Sequence, residues 1–377
     1  MSVRLGLFYP NAKAIHTISG KVAARNPDVL SMKEHVDIAG AAERIGLDYL
    51  FMADAWGFYG PKTTAIGLQN PMLVPPILAA SLIPVTDKIR FITTVHTSWF
   101  EPLQYIRMGA ALDQLSNGRW GINIVSGSGF ADQITTDTQT LSHDARYRRA
   151  SEFVDVVTQF WSTGTIDYHG DHFRIKGAIV GPPTIQQPRP LIVSAGASDA
   201  GRDFAGRHAD CIFMPGRTSR NEMRARMQEI RKVAAVAGRP ADAIKVQMHA
   251  SIVVRETNAE AREYSDWIAQ SVDLQGVAEY LNAVRSNIST YDDIYASLGE
   301  LQMRQIGSVS GARRIHGGPV EVADGIATLI SDFGCDGIAI TLPLWNAEEI
   351  ERLGKLVLPI LEERGLWSPP STRDFGW

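Results

Sequence analysis

Short apolar runs alternate with amphipathic segments along most of the chain. In one clear example, an apolar run at 91–95 is followed by a segment that Pro102 opens and that carries apolar residues at helical spacing. A Ser-Asn-Gly sequence at 116–118 ends this segment, and a second apolar run follows at Trp120–Val125. The pattern predicts a strand, a helix and a second strand.

The same alternation recurs over the whole length of 377 residues. Strands are predicted at 3–9, 49–52, 90–95, 120–125, 191–195, 211–214, 245–254 and 337–341, most of them followed by a helix. Repeated strand–helix units are typical of parallel α/β folds. Eight units favour a (β/α)8 TIM barrel with insertions over a doubly wound sheet, and we expect a single domain over residues 1–377.

Two insertions and a tail interrupt the alternation. Residues 163–190 carry a hairpin signal at Gly170-Asp171 and then several prolines. Residues 270–318 contain a predicted helix near 277–284 and a glycine-rich end at 307–318, which we expect to be mobile. The apolar tail at 365–377 is expected to pack on a neighbouring subunit.

Composition narrows the classes of partner. The formal net charge is -4 with no long basic run, which argues against nucleic acid and anionic membranes. Neither a signal peptide nor a membrane span is visible, and we expect a cytoplasmic protein. The two cysteines have no metal-like spacing, so no metal site is predicted.

Candidate chemistry lies where predicted strands end, because ligands of parallel α/β folds bind at the carboxyl ends of the strands. Thr94 and Asn123 end the third and fourth strands, and His96 follows Thr94. His249 interrupts the apolar seventh strand. For each residue a structural role stays open: a satisfied hydroxyl, a turn-forming amide, or a core histidine.

A run of small residues leads from the fifth strand into the next helix and includes Ala195, Gly196 and Ser198. Backbone N–H groups and the Ser198 hydroxyl converge there at the positive end of a helix, which favours a phosphate. An ordinary serine N-cap is the alternative. Arg146 and Tyr147, near the start of the fourth helix, are suited to holding a phosphate or to forming a solvated face.

Three motifs together carry a resemblance to a known family. They are LDQLSNGRWGINIVSG at 112–127, HDARY at 143–147 and AGASDAG at 195–201. The chain resembles the bacterial-luciferase-like flavin monooxygenases over nearly its whole length. The most similar branches are two-component enzymes that act on pyrimidine rings, dimethyl sulfone, alkanesulfonates and dibenzothiophene sulfone.

The resemblance implies a TIM barrel and a monooxygenase that uses reduced FMN and O2. A separate NAD(P)H-dependent flavin reductase would supply the reduced FMN, and a flavin peroxide would oxygenate the substrate. By motif, Asn123 and Thr94 would lie beside the flavin ring and the oxygen, Arg146 and Tyr147 would hold the FMN tail, and Ser198 would bind the phosphate. The resemblance also implies a homodimer or homotetramer.

Further positions follow from individual branches. Ala53 and Asp54 occupy positions that line the flavin in the pyrimidine branch. Asp132 stands where that branch and the sulfone branch carry Glu, so its carboxylate has a shorter reach. His249 resembles the histidine of the alkanesulfonate enzymes, but the cysteine that those enzymes carry after the second strand is missing.

Aromatic residues follow the second and third strands and predict the substrate class. They are Trp56, Phe58, Tyr59 and Trp99. They indicate a pocket for a small aromatic, heteroaromatic or sulfone-type compound, and packing under the insertions is the alternative. Two other functions stay open: a deazaflavin-dependent oxidoreductase on the same fold, and a flavin-binding protein without catalysis.

Overall fold

A computed structural model describes residues 2–127, 141–178, 181–240, 242–287 and 298–372, with the backbone alone for 285–287. Its strands are β1 (Arg4–Phe8), β2 (Tyr49–Met52), β3 (Arg90–His96), β4 (Trp120–Val125), β5 (Ile166–His169), β6 (Arg174–Gly177), β7 (Leu191–Ser194), β8 (Cys211–Met214), β9 (Lys245–Val254), β10 (Arg313–Gly317) and β11 (Gly337–Thr341). Its α-helices are α1 (Gly20–Ala23), α2 (Met32–Arg44), α3 (Pro61–Ile66), α4 (Pro75–Leu82), α5 (Pro102–Leu115), α6 (His143–Thr163), α7 (Asp199–His208), α8 (Arg220–Val236), α9 (Asn258–Gln270), α10 (Leu274–Asn287), α11 (Glu300–Val309), α12 (Pro319–Phe333), α13 (Ala347–Leu356) and α14 (Leu358–Glu363).

Eight parallel strands close into a barrel. Their order is β1, β2, β3, β4, β7, β8, β9 and β11, and β11 pairs with β1 to complete the ring. These strands are buried along nearly their whole length, as expected for parallel strands covered on both faces. The predicted (β/α)8 TIM barrel is confirmed.

One strand was not predicted. The glycine-rich end of the second insertion contains the last residues of α11 and then β10. β8 pairs only with the first residues of β9, from Lys245 to Met248. β10 takes the remainder of that edge, from Ala250 to Val254. The sequence RRIHG of β10 lacks the apolar run of a barrel strand. β10 does not need such a run, because its pairing with the edge of β9 holds it in place.

The hairpin predicted in the first insertion is present, with β5 and β6 antiparallel. The carboxylate of Glu152 on α6 accepts hydrogen bonds from three successive backbone N–H groups at its turn, Asp171, His172 and Phe173. The turn is therefore held against the barrel by a charged acceptor.

The second insertion packs beside the carboxyl end of the barrel. α10 contacts α3, a helix that the sequence did not predict, and Glu279 on α10 accepts hydrogen bonds from Lys62 N and Thr63 N at 2.7 and 2.9 Å. Around them lies a small apolar cluster that includes Ile18, Ile66, Leu68, Val272, Val277 and Leu281. The insertion therefore rests on the loop that follows β2.

The tail packs on its own chain as far as it is described. Trp367 is buried in the main core, and the backbone N–H of Val3 donates to the carbonyl of Leu366 at 2.9 Å. The expectation that this tryptophan covers a neighbouring subunit was wrong, and residues 373–377 lie outside the described part. Within the described ranges, every helix is too short or too polar to cross a membrane.

Side chains fill the barrel interior below its carboxyl end. Gly6 on β1 pairs in register with Tyr49 on β2, and the buried Tyr49 ring lies across the glycine. A Cβ atom at Gly6 would lie 2.0 Å from Cε2 of that ring. Glycine is therefore required here by space.

We expect Gly6→Ala to lower the free energy of unfolding by about 3 kcal/mol, because the buried ring or the strand must shift to admit the methyl group. Urea denaturation measures the change. Gly20→Ala is the matched control, since a Cβ at Gly20 meets no atom within 4 Å. A Gly6→Ala variant as stable as the Gly20→Ala variant would contradict the packing described.

Candidate active site

Thr94 and Asn123 face each other at the carboxyl ends of two adjacent strands. They are in register between β3 and β4, both are buried, and Asn123 Nδ2 donates to Thr94 Oγ1 at 3.1 Å. The preceding residue, Thr93, points to the other face of β3, where its hydroxyl accepts from Trp120 Nε1 at 3.0 Å. Strand alternation therefore puts Thr94 and Asn123 in the barrel mouth and Thr93 in the helical layer.

The amide oxygen of Asn123 has no hydrogen-bond partner among the described residues, although it is buried. An unsatisfied buried acceptor costs about 1–3 kcal/mol, and folded proteins keep few of them. The amide nitrogen is already committed to Thr94, so the oxygen is free to accept from a bound molecule. This is the strongest single sign of a ligand site in the mouth.

Aromatic side chains form a floor below this pair. Phe51 stacks on Phe213 with ring centroids 5.0 Å apart, and Phe8 lies 5.3 Å from Phe51. His249 stacks on Phe8 at 4.8 Å. The floor closes the interior, so a ligand can enter only from the carboxyl end.

His249 is a buried core histidine whose side chain lies inside the barrel. Its Nε2 lies 2.7 Å from the Thr341 hydroxyl, and burial holds its pKa well below the usual range. His16, in the loop after β1, lies 4.5 Å from it between ring centroids, and burial lowers the pKa of His16 to about 3. His16 was not predicted as a site residue. Its position in the loop after a barrel strand is the one sequence signal that could have indicated it.

Asp54 and two tryptophans line the rim at the ends of β2 and β3. Asp54 accepts from the indole Nε1 of Trp56 at 2.9 Å, and burial raises the pKa of its carboxyl to about 6. Trp56 stacks on Trp99 at 4.9 Å, with the planes 11° apart. Ala53 contributes its backbone carbonyl to Asn11 and packs against the barrel interior.

The other predicted pocket residues have different surroundings. Phe58 is exposed on the same loop. Tyr59 packs on Tyr280 of the second insertion and donates its hydroxyl to Gln69 at 2.7 Å, so it belongs to the contact between loop and insertion. Asp132 lies outside the described residues.

The loop from β7 into α7 has the geometry of a phosphate seat. Ser198 is the N-cap of α7, accepts from Gly201 N at 3.1 Å and lies 3.3 Å from His143 Nε2. A Cβ at Gly196 would lie 2.7 Å from the Tyr147 hydroxyl and 2.9 Å from the Cα of Gly201. Ala195 and Gly196 therefore expose backbone next to hydroxyl groups and a helix N-terminus.

Arg146 lies between this seat and the end of β4. Its Nη1 donates to the carbonyl of Leu141 at 3.0 Å, while its buried Nε has no partner among the described residues. Gly127, with a φ of +131°, lets its backbone pass close to the Arg146 side chain. Burial raises the pKa of Tyr147, whose hydroxyl bonds with Ser126 and Ser198, so it stays protonated as a donor.

Comparisons with known proteins agree with this geometry. The chain is 28% identical to the N-acetyl-S-(2-succino)cysteine monooxygenase of Bacillus subtilis (strain 168), over 91% of this chain and 89% of that protein. It superposes on a riboflavin lyase, solved with a modified FMN and its substrate riboflavin, with a TM-score of 0.84 and 27% identity over 98% of this chain and 93% of that chain.

A long-chain alkane monooxygenase shares the fold, with a TM-score of 0.85 and 24% identity over 98% of this chain and 93% of that one. The model of the luciferase-like monooxygenase family matches residues 3–337, which include seven of the eight barrel strands and both predicted insertions. This chain therefore belongs to the luciferase-like monooxygenases, a family that includes flavin-dependent enzymes.

Proposed function

We propose that the protein is a two-component monooxygenase that uses reduced FMN and O2 to oxygenate a small organic substrate. The observation that carries this proposal is the buried Oδ1 of Asn123, which has no partner among the described residues, at the carboxyl end of a closed barrel. The relative solved with a modified FMN shares 27% of its sequence and the same fold, which supports a flavin in the mouth. A separate NAD(P)H-dependent reductase would supply the reduced cofactor.

The residues present fit an FMN molecule. Ser198, the backbone at Gly196, and Tyr147 would hold its phosphate, with Arg146 as the adjacent cation. Asn123 and Thr94 would contact the ring, and Ala53 and Asp54 would line it from the side of β2. Reduced FMN, when bound, supplies the two electrons with which O2 is activated.

The protein side of the chemistry is orientation and exclusion of water. Asn123 is held by Thr94, so its free oxygen is directed by a bond that already exists. The aromatic floor of Phe8, Phe51 and Phe213 closes the barrel below it. A preorganised acceptor in a dry site costs no reorganisation when the reaction proceeds.

The substrate is proposed to be a small aromatic, heteroaromatic or sulfone-type compound. The stacked pair of Trp56 and Trp99 supports this, because an exposed indole face attracts flat apolar molecules. Relatives with the same fold act on a cysteine derivative, on riboflavin and on long-chain alkanes. The residues at the rim, rather than the fold, therefore determine which substrate binds.

The first test follows the reoxidation of bound reduced FMN by O2 in an anaerobic stopped-flow instrument. We expect wild-type protein to change the time course relative to free FMN, because the site shields the reacting ring from water. In Asn123→Ala and Thr94→Val, FMN should still bind, and the rate constant of its reoxidation should change by about tenfold or more toward that of free FMN.

Thr93→Val is the matched control, since Thr93 is equally buried on the same strand but faces the helical layer. Its time course should stay that of the wild type. Wild-type protein that binds flavin but leaves the reaction with O2 unchanged would contradict the proposal, and oxygen-independent hydride transfer to a deazaflavin would replace it.

The second prediction concerns the phosphate. Ser198→Ala should weaken FMN binding by about tenfold and leave riboflavin binding unchanged, because only FMN carries the phosphate. Fluorescence titration with both flavins measures the ratio. Ser219→Ala removes the same kind of helix cap from α8 and should cost the same stability, about 1 kcal/mol, without changing either affinity. Equal losses for FMN and riboflavin in Ser198→Ala would exclude the phosphate role.

The third prediction concerns the Asp54 carboxyl, whose pKa burial raises to about 6. A carboxyl with a higher pKa in the folded than in the unfolded state stabilises the fold most at low pH, and this contribution is lost as pH rises toward 6. Asp54→Asn should therefore raise the free energy of unfolding by up to about 3 kcal/mol at pH 7 and leave it unchanged below pH 4.

Urea denaturation at several pH values measures the difference. Asp167→Asn, at an exposed position in the β5–β6 hairpin, is the control and should change little at any pH. An Asp54→Asn variant that is less stable than the wild type at pH 7 would show that the carboxylate is held by more than the bonds described.

A further inference from the structure

A buried histidine at the rim of the barrel, His96, has no role in the function proposed above. His96 is the last residue of β3 and leaves the strand on the same face as Thr94, two residues earlier. Its Nε2 lies 3.1 Å from the backbone carbonyl oxygen of Asp54, at the end of β2. The imidazole therefore spans the carboxyl ends of two strands that border the mouth.

The partner of His96 determines its tautomer. A backbone carbonyl oxygen only accepts hydrogen bonds, so Nε2 must carry a proton. Burial lowers the pKa of His96 to about 4, which leaves the ring neutral with one proton at neutral pH. Nδ1 consequently has a free lone pair and can only accept.

That lone pair has no partner in the described part of the chain. Nδ1 of His96 is buried and makes no hydrogen bond to any described residue. Two further buried polar atoms near the ends of β3 and β4 share this property, the donor Nε1 of Trp99 and the acceptor Oδ1 of Asn123. A buried polar atom without a partner calls for an explanation, and at the carboxyl end of the barrel a bound molecule is one.

We propose that Nδ1 of His96 accepts a hydrogen bond from a ring N–H of the bound flavin and so helps to orient the ring in the mouth. The inference rests on the proposed function, because it requires a flavin at this position. A flavin ring carries an N–H at N3 in both redox states and an N–H at N5 only when reduced. Both are donors, which is what a bare Nδ1 requires.

Two substitutions separate the two nitrogens of His96. The longer side chain in His96→Gln places an amide near the Nε2 position, where it can still donate to the Asp54 carbonyl, but it leaves no acceptor near Nδ1. The shorter one in His96→Asn places an amide oxygen near Nδ1 and loses the bond to Asp54. A purely structural histidine would tolerate Gln and suffer from Asn.

We expect His96→Gln to keep the wild-type Tm and to bind FMN about tenfold more weakly, which corresponds to about 1.4 kcal/mol. His96→Asn should lower the Tm and retain more of the affinity. The dissociation constants are measured for oxidised FMN by fluorescence and for reduced FMN anaerobically, with no turnover involved.

The redox state of the flavin identifies the donor. A loss of affinity in both states assigns the bond to N3–H. In that case FMN methylated at N3 should bind the wild type about tenfold more weakly than unmodified FMN does, whereas His96→Gln should bind the two flavins equally. A loss confined to reduced FMN assigns the bond to an N–H that only the reduced ring carries, such as N5–H. Equal affinities of His96→Gln and wild type for FMN in both states would overturn the inference. A wild type that binds no FMN would instead contradict the proposed function.

Discussion

Hydrogen bonds between β11 and β1 close the sheet, and the candidate site depends on that closure. In a closed parallel barrel every strand ends at the same rim, so residues far apart in sequence become neighbours. Asn123 meets Thr94 across 29 positions, and His249 meets Thr341 across 92. The strand pairing is thus what assembles the polar groups, and the loops add to a geometry that the barrel already defines.

The same closure limits where a ligand can bind. Tyr49 fills the space over Gly6, and the rings of Phe51 and Phe213 stack above it toward the mouth. Because the interior is packed, polar atoms at the carboxyl end that have no partner among the described residues, such as Asn123 Oδ1, face the open end of the barrel. Stability is reduced there, by unpaired acceptors and by the desolvated Asp54, as is common at functional sites.

Topology could be predicted from sequence where burial on both faces gives a strand an apolar run. β10 could not, because its partner is the free upper edge of β9 and its own composition is mixed. Ser198 and Asn123 could be located because strand and helix ends follow from the unit count. The contact of His16 with His249 depends on the conformation of the loop after β1. The spacing of apolar residues in the sequence does not predict that conformation.

The contrast between His249 and His96 shows why residue type alone does not identify a ligand contact. His249 bonds to the Thr341 hydroxyl, which can donate or accept, so the bond is satisfied in either tautomer. His96 bonds to a carbonyl oxygen, which forces the proton onto Nε2 and leaves the other nitrogen as an acceptor. Both are buried and neutral, and both interrupt apolar strands. The chemistry of the partner, set by which strand end lies next to which, leaves the tautomer of His249 open, whereas it fixes that of His96 and leaves its Nδ1 as an acceptor that needs a donor.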